Sequence, residues 1–306
     1  LRSWTTGMSE WDEGNRVRHF VWDERDPRTF FYMERDATRR TVYRVDVKTG
    51  EKTEAVSIEM LKGCRYFKLH PDGEHFLFVE PQGSNTSDDA RTRIYVAGPE
   101  GLLHTFFLEH NVQDKSQFTG SPNHDLYITC TRPRPKRGGY LMSPDGTNRI
   151  HLVPRAGHDD WTGSGKWLAG YHENRIFALS HDRARRKTLV ELRTGGHLGC
   201  ALDDRSVLSD VGHNGPWANS LLYMDIPTRA AHMICMAASS FTSHSRKHSY
   251  HPNIHSNHPH PSLSPDGTKG LFESDYMGTY SDVYMVVTHP PDPPRNLRVE
   301  GGALRW

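Results

Sequence analysis

The sequence predicts an all-β fold, a β-propeller, on three observations. A turn motif recurs along the chain, short apolar runs of period two separate the turns, and no long segment carries a helical period. The turn has the form Pro-Asp-Gly, in which proline presets one backbone angle and glycine accepts the left-handed one. Its clearest copies are His70-Pro-Asp-Gly-Glu-His-Phe-Leu-Phe-Val79, Ser121-Pro-Asn-His-Asp-Leu-Tyr-Ile-Thr129 and Ser264-Pro-Asp-Gly-Thr-Lys-Gly-Leu-Phe272. Weaker copies begin at Arg25, Gly163 and Leu202, so the turns recur about every 40 to 60 residues. That is the period of a four-stranded blade.

Each copy is followed by an outer hairpin. Val42–Gly50, Ile94–Gly101, Tyr140–Gly146, Ile176–Ser180 and Leu221–Ile226 all alternate and end in turn residues, as antiparallel strands do. Six such units can be counted. The seventh unit of a seven-bladed architecture is expected to be missing from the N-terminus. The propeller is assigned residues 1–288. At Thr288-His-Pro-Pro-Asp-Pro-Pro294 a stiff linker begins, and residues 289–306 form a separate tail.

Composition narrows the partners. Lys and Arg number 38 against 37 Asp and Glu, a formal net charge of +1, so no global field draws nucleic acid or an anionic membrane. Mean hydropathy is -0.72, and no apolar window is long enough for a spanning helix. Cys64, Cys130, Cys200 and Cys235 lie far apart, without the paired spacing of thiolate zinc knuckles. Oligomeric state and compartment are not readable from such features.

Histidine carries the chemistry. The chain holds 20, of which seven fall between His232 and His260. His255-Ser-Asn-His258-Pro-His260 stands directly before the Ser264 turn. Imidazole is the commonest metal ligand, and an extended backbone at Pro259 would turn His258 and His260 to one face. Two more loops place His in the same slot: His158 before the Gly163 turn, and His197 before the Leu202 turn. A blade repeat brings such positions together at the axis, so a metal site is expected. His70, His75, His124, His172 and His289 are read as surface residues. The carboxylate pairs Asp159-Asp160 and Asp203-Asp204 are read as polar blade turns, since adjacent strand residues face opposite ways and make no glycosidase dyad. Trp161, Trp217, Tyr250, Tyr276 and Tyr280 are candidates for stacking on sugar rings, with blade core as the alternative for Trp161.

The string His258-Pro-His260-Pro-Ser-Leu-Ser-Pro-Asp-Gly-Thr-Lys-Gly-Leu-Phe-Glu-Ser-Asp275 resembles the signature of the oligogalacturonate lyases, propeller polysaccharide lyases related in fold to TolB-type propellers. The resemblance spans about Arg25 to Val287 and is densest in the last units. It implies β-elimination on a uronic-acid oligosaccharide such as an oligogalacturonate, with a divalent metal held by His197, His258 and His260. His255 stands where the family has Gln. The implied metal is manganese, and the extra imidazole admits Zn, Ni or Fe. The resemblance implies His158 as Brønsted base and an arginine on the substrate carboxylate, Arg132 or Arg134. It implies a cytoplasmic protein. Residues 295–306 resemble the opening strands of a fibronectin type III domain, which implies a chain that continues and admits secretion. A non-catalytic propeller that binds sugars or proteins is the alternative reading.

Overall fold

The structure is a computed structural model. It describes residues 2–4, 20–35, 39–59, 64, 66–70, 72–82, 91–108, 118–120, 126–130, 138–143, 147–148, 150–153, 159–162, 165–172, 175–180, 185–191, 196–211, 219–237, 259–274, 282–288, 298–300 and 303–305.

Five four-stranded antiparallel sheets are each built from consecutive strands. In chain order they are β2–β5 (Phe20–Trp22, Thr29–Arg35, Arg40–Asp46, Lys52–Ile58), β6–β9 (Tyr66–Leu69, Phe76–Gln82, Arg91–Gly98, Gly101–Leu108) and β10–β13 (Phe118–Gly120, Leu126–Cys130, Gly138–Met142, Ile150–Val153). Then come β14–β17 (Asp160–Trp161, Trp167–His172, Arg175–Ser180, Arg186–Glu191) and β18–β21 (Leu198–Cys200, Ser206–Asp210, Ser220–Asp225, Ala231–Met236). A sixth sheet joins β22–β24 (Ser262–Leu263, Lys269–Ser274, Asp282–Val287) to the N-terminal strand β1 (Arg2–Trp4), with Ser3 opposite Tyr284. The first strand of each sheet is innermost, and β2, β22, β18, β14, β10 and β6 follow one another as neighbours around the axis. This is a β-propeller. A seventh blade is not among the described residues. Strand β1 completes the last sheet instead of opening a blade of its own, which ties the two ends of the ring together.

Packing explains why the middle strands lack polar alternation. On β20, Leu222 and Met224 join a core with Trp167, Ile176 and Ala178 of the preceding sheet. The alternate residues Leu221 and Tyr223 join a core with Leu263, Phe272 and Tyr284 of the following sheet. A blade is sandwiched between two others, so both strand faces are buried and the run reads as continuously apolar. The outer strand β21 faces solvent, with Met233 and Met236 exposed. The same logic packs Phe31 and Met33 on Phe67, Phe76 and Phe78, and Trp22 and Phe30 on Leu271 and Val283.

The recurring turns are built alike. His70, Thr162, Ala201 and Ser264 each donate a backbone N–H to the carbonyl five residues on, at 2.8, 2.9, 3.0 and 2.8 Å. Asp72, Asp203 and Asp266 each accept backbone N–H groups from residues just ahead. These Asx turns are local chemistry, which is why the sequence shows them. Asp203 and Asp204 sit in one of them, as expected. Arg298–Glu300 and Ala303–Arg305 (β25 and β26) form a two-stranded sheet of their own.

Candidate functional site

The chain enters each innermost strand at what we term the leading end of the propeller, and leaves it at the trailing end. His197 stands immediately before β18, and His260 two residues before β22, so neighbouring blades bring both to the leading end. Their ring centroids lie 3.7 Å apart with planes at 41°.

Asp210, the last residue of β19, joins them and is fully buried. Its Oδ1 accepts the backbone N–H of His197. Its Oδ2 lies 3.0 Å from His197 Nδ1 and accepts the His260 backbone N–H at 3.1 Å. His197 is fixed from the other side as well, because its carbonyl accepts the Asp210 N–H at 3.0 Å and the Ser209 hydroxyl at 2.9 Å. A carboxylate facing Nδ1 selects the tautomer protonated there and leaves the Nε2 lone pair for a ligand. Gly196 makes the close approach feasible: a Cβ there would lie 1.7 Å from the Asp210 carbonyl oxygen. Asp210 was not singled out from the sequence. The signal for it is faint, an acidic residue closing an otherwise apolar strand.

The backbone at His260 is left-handed, with φ of 44°. The extended alternation expected across Pro259 therefore does not set the direction of its ring. The Pro259 carbonyl instead accepts the Glu273 N–H at 2.7 Å, and the contact to Asp210 fixes the other side. His255, His258 and His158 lie outside the described residues, as do Arg132, Arg134, Trp217, Tyr250, Tyr276 and Tyr280.

Two small chambers follow the axis from this pair. The one at the leading end, about 30 Å³, is lined by His197, His260, Lys68, Asp159, Asp160 and Ser262. The next, about 60 Å³, shares Lys68, Asp160 and Ser262 and adds Trp22, Glu24, Trp161 and Cys200. The first has room for an ion or water. Asp159 and Asp160 thus line the axis, where the sequence reading had polar blade turns. Asp159 is 1% exposed. Asp160 braces the neighbouring blade, its Oδ2 accepting the Cys200 N–H at 2.8 Å. Both stand at the start of an innermost strand, where the two faces look towards the axis and the adjacent blade. Trp161 is buried, in keeping with blade core.

Electrostatics distinguish the axial groups. Burial, and after it the Asp160 carboxylate, push the Glu24 carboxyl above its ordinary range, with Lys68 opposing. Burial, with Asp160 next, holds the Cys200 thiol well above the usual value, so it stays neutral and is no nucleophile. Lys68 was missed in the sequence because nothing local marks a lysine on β6 as axial. It brings a positive charge beside the histidine pair.

Among the described residues, one group of three potential ligands has all its ligand atoms within 4.8 Å of one another: His70, Asp72 and His75. It lies at the trailing end. The sequence read these two histidines as surface residues; they are half-buried on a turn, each with Nδ1 2.7 Å from Asp72 Oδ2.

No protein-family model matches the chain, and no curated protein matches it. Solved structures do. An oligogalacturonate lyase in complex with manganese is 16% identical, with a TM-score of 0.58 over 90% of this chain and 77% of that one. An oligogalacturonate lyase from Vibrio parahaemolyticus is 17% identical, with a TM-score of 0.58 over 91% and 79%. A TolB from Agrobacterium tumefaciens, itself described as putative, is 11% identical, with a TM-score of 0.54 over 90% and 91%. None of these carries the fibronectin type III resemblance of the tail. At such identities the likeness establishes the architecture alone: an all-β propeller of the kind that the oligogalacturonate lyases and the TolB-like proteins share.

Proposed function

We propose that this propeller cleaves uronic-acid oligosaccharides of the oligogalacturonate type by β-elimination, at the leading end of its axis. The observation that carries the reading is the His197–Asp210–His260 arrangement, two imidazoles from different blades held over one buried carboxylate. The arrangement fits a divalent ion, because Asp210 accepts the hydrogen bond of His197 Nδ1–H and leaves Nε2 as a donor next to the second ring. His197 and His260 would hold that ion, with His255 and His258 as the further donors implied by the His-x-x-His-x-His string. The manganese of the structural neighbour makes that ion the first choice. The chemistry an ion supplies there is electrostatic, offsetting charge that develops on the uronate carboxylate.

The chain's own residues carry the remaining roles. The sugar is placed at the leading end, over the chamber that His197 and His260 line. Lys68 supplies a fixed cation for the carboxylate from inside the axis, a role the sequence reading gave to Arg132 or Arg134. His158, next to buried Asp159, is the base: neutral imidazole has an affinity for protons matched to neutral pH. It takes the proton at C5, the C–H electrons form the C4–C5 double bond, and the C4–O bond breaks with the oxygen leaving on the departing chain.

The experiment follows product formation from oligogalacturonate by the ultraviolet absorbance of the unsaturated uronate, for the wild type and for His158→Ala, with metal content measured in parallel. Absorbance that grows in the wild type and is lost in His158→Ala with metal retained supports the reading. New reducing ends without absorbance would make the protein a hydrolase. The likeness to a TolB-type propeller favours one second reading, a non-catalytic binding propeller. Saturable oligosaccharide binding with no product would establish it.

A further inference from the structure

We propose that His70, Asp72 and His75 form a second divalent-metal site, for a transition ion such as Zn²⁺, at the trailing end of the propeller. It is independent of the lyase reading.

The site is built into one turn. Strand β6 ends at Leu69 and β7 begins at Phe76, and the six residues between them are His-Pro-Asp-Gly-Glu-His. Asp72 divides its carboxylate between two tasks. Oδ1 closes the turn by accepting the N–H groups of Glu74 at 2.8 Å and His75 at 3.0 Å. Oδ2 is left facing the imidazoles, 2.7 Å from Nδ1 of His70 and 2.7 Å from Nδ1 of His75. The turn therefore fixes the carboxylate, and no loop rearrangement is needed to gather the donors.

The outer hydrogen bonds decide what those nitrogens offer. His75 Nε2 lies 2.6 Å from Glu100 Oε1, and a carboxylate there draws the ring proton to Nε2. Asp72 Oδ2 faces His75 Nδ1 at 2.7 Å as well, so the ring lies between two carboxylates and an ion takes Nδ1 by displacing its proton. His70 Nδ1 accepts the Asp72 backbone N–H at 3.3 Å, a bond that an ion would replace. Two ring nitrogens and a carboxylate oxygen thus lie within 4.8 Å of one another, close enough to share one ion. Two imidazoles and a carboxylate are a donor set for Zn²⁺ and its first-row neighbours. Around a tetrahedral ion with bonds of about 2.0 Å the ligand atoms sit about 3.3 Å apart, so the two nitrogen–oxygen pairs, now at 2.7 Å, must each open by about half an ångström. Side-chain rotation supplies that at a turn edge.

The surroundings are shaped for the rings. A Cβ at Gly98 would come within 2.6 Å of His75 Cδ2 and 2.8 Å of Glu100 Oε2, so glycine at the end of β8 lets the imidazole seat against Glu100. The local field is negative. His75 is favoured in its charged form, first by the Asp72 hydrogen bond and also by Glu100, against the effect of burial. His70 is shifted the other way by burial, which Asp72 opposes, and His104 on β9 adds a small like-charge effect. A proton on His75 is the competing occupant, and it makes the cluster an imidazolium clamp.

The test uses the full chain, stripped with a chelator and titrated with Zn²⁺ at neutral pH. His197→Gln/His260→Gln is titrated beside it to remove the axial pair. That variant is expected to keep one Zn²⁺ equivalent, which His70→Gln/His75→Gln loses. Gly98→Ala, which removes no donor, is expected to weaken it at least tenfold. A second measurement needs no variant: Zn²⁺ should protect His70 and His75 of the wild type from diethyl pyrocarbonate, read by peptide mass. Unchanged modification of both rings at saturating Zn²⁺ overturns the proposal, as does a His70→Gln/His75→Gln protein with wild-type stoichiometry and affinity. A failed lyase assay leaves this result untouched, because the His197→Gln/His260→Gln background isolates the trailing-end site.

Discussion

At the leading end, His197 and His260 lie 13 and 50 residues from the Asp210 that joins them, and they come from neighbouring blades. At the trailing end, His70 and His75 lie two and three residues from Asp72, within one turn. Both clusters use one carboxylate against two imidazoles. They differ in what holds the carboxylate. Asp210 is fully buried at the end of a strand, and its oxygens accept groups brought by other segments. Asp72 is partly exposed and is held by the backbone of its own turn. A long-range cluster exists only when two blades are docked, so it reports on the assembled ring. A local cluster needs only its turn, so it forms wherever the hairpin forms.

The comparison breaks most readily at the carboxylates. Asp210→Ala leaves three buried N–H groups at His197 and His260 without their acceptor, and about 3–5 kcal/mol of stability should be lost in urea unfolding. Activity should vanish with it. A loss below about 1 kcal/mol would show that the leading-end cluster is not part of the framework between blades. Second in size is Lys68→Met. If the lysine holds the uronate carboxylate, KM should rise about tenfold with kcat less affected, the mark of a contact made in ground and transition states alike. An unchanged KM would remove Lys68 from binding.

Asp72→Ala in the metal-free protein should cost only about 1 kcal/mol, the worth of its exposed turn hydrogen bonds. Burial works against the Asp72 charge, but hydrogen bonds from Glu74 and His75 outweigh it, and the carboxyl is held below the usual range. Its stabilising effect is therefore present at neutral pH and fades only in strong acid, as the folded-state group takes up its proton. Equal losses for Asp72→Ala and Asp210→Ala would erase the distinction between the two ends.

The smallest effect is expected at Glu24, inside the axis. Its carboxyl is raised above the ordinary 4.5 by burial and by Asp160. Stability tied to its proton is complete below that value and is lost as pH climbs through the raised one. Glu24→Gln should match the wild type in acid and exceed it slightly at neutral pH. A parallel pair of stability–pH curves would show that the channel water screens the charge.

The difference between local and long-range contacts also explains what could be read from the sequence. The Pro-Asp-Gly turns are each closed by hydrogen bonds within a few residues, and so they appear as strings. The blades between them follow from short apolar runs bounded by turn residues, although burial of both faces removes the period-two alternation expected of the middle strands. Nothing local placed Asp160 on the axis, since adjacent carboxylates in a turn and at the start of an innermost strand read alike. Nothing local marked Lys68. The clustering of His70 and His75 went unread for a related reason: Glu100, which seats His75, arrives from the β8–β9 turn, 25 residues later.

Sequence alone determined the all-β class, the repeat, the turns and the concentration of imidazole before the last innermost strand, because each depends on propensities and hydrogen bonds within a blade. Tertiary structure decided the closing of the last sheet by Arg2–Trp4, and the meeting of His197 with His260 over Asp210. It also decided the left-handed turn at His260 that no alternation rule foresees. These depend on which segments of one chain become neighbours when blades dock. That is set by burial of both faces of every middle strand, a collective condition that no short stretch of residues encodes.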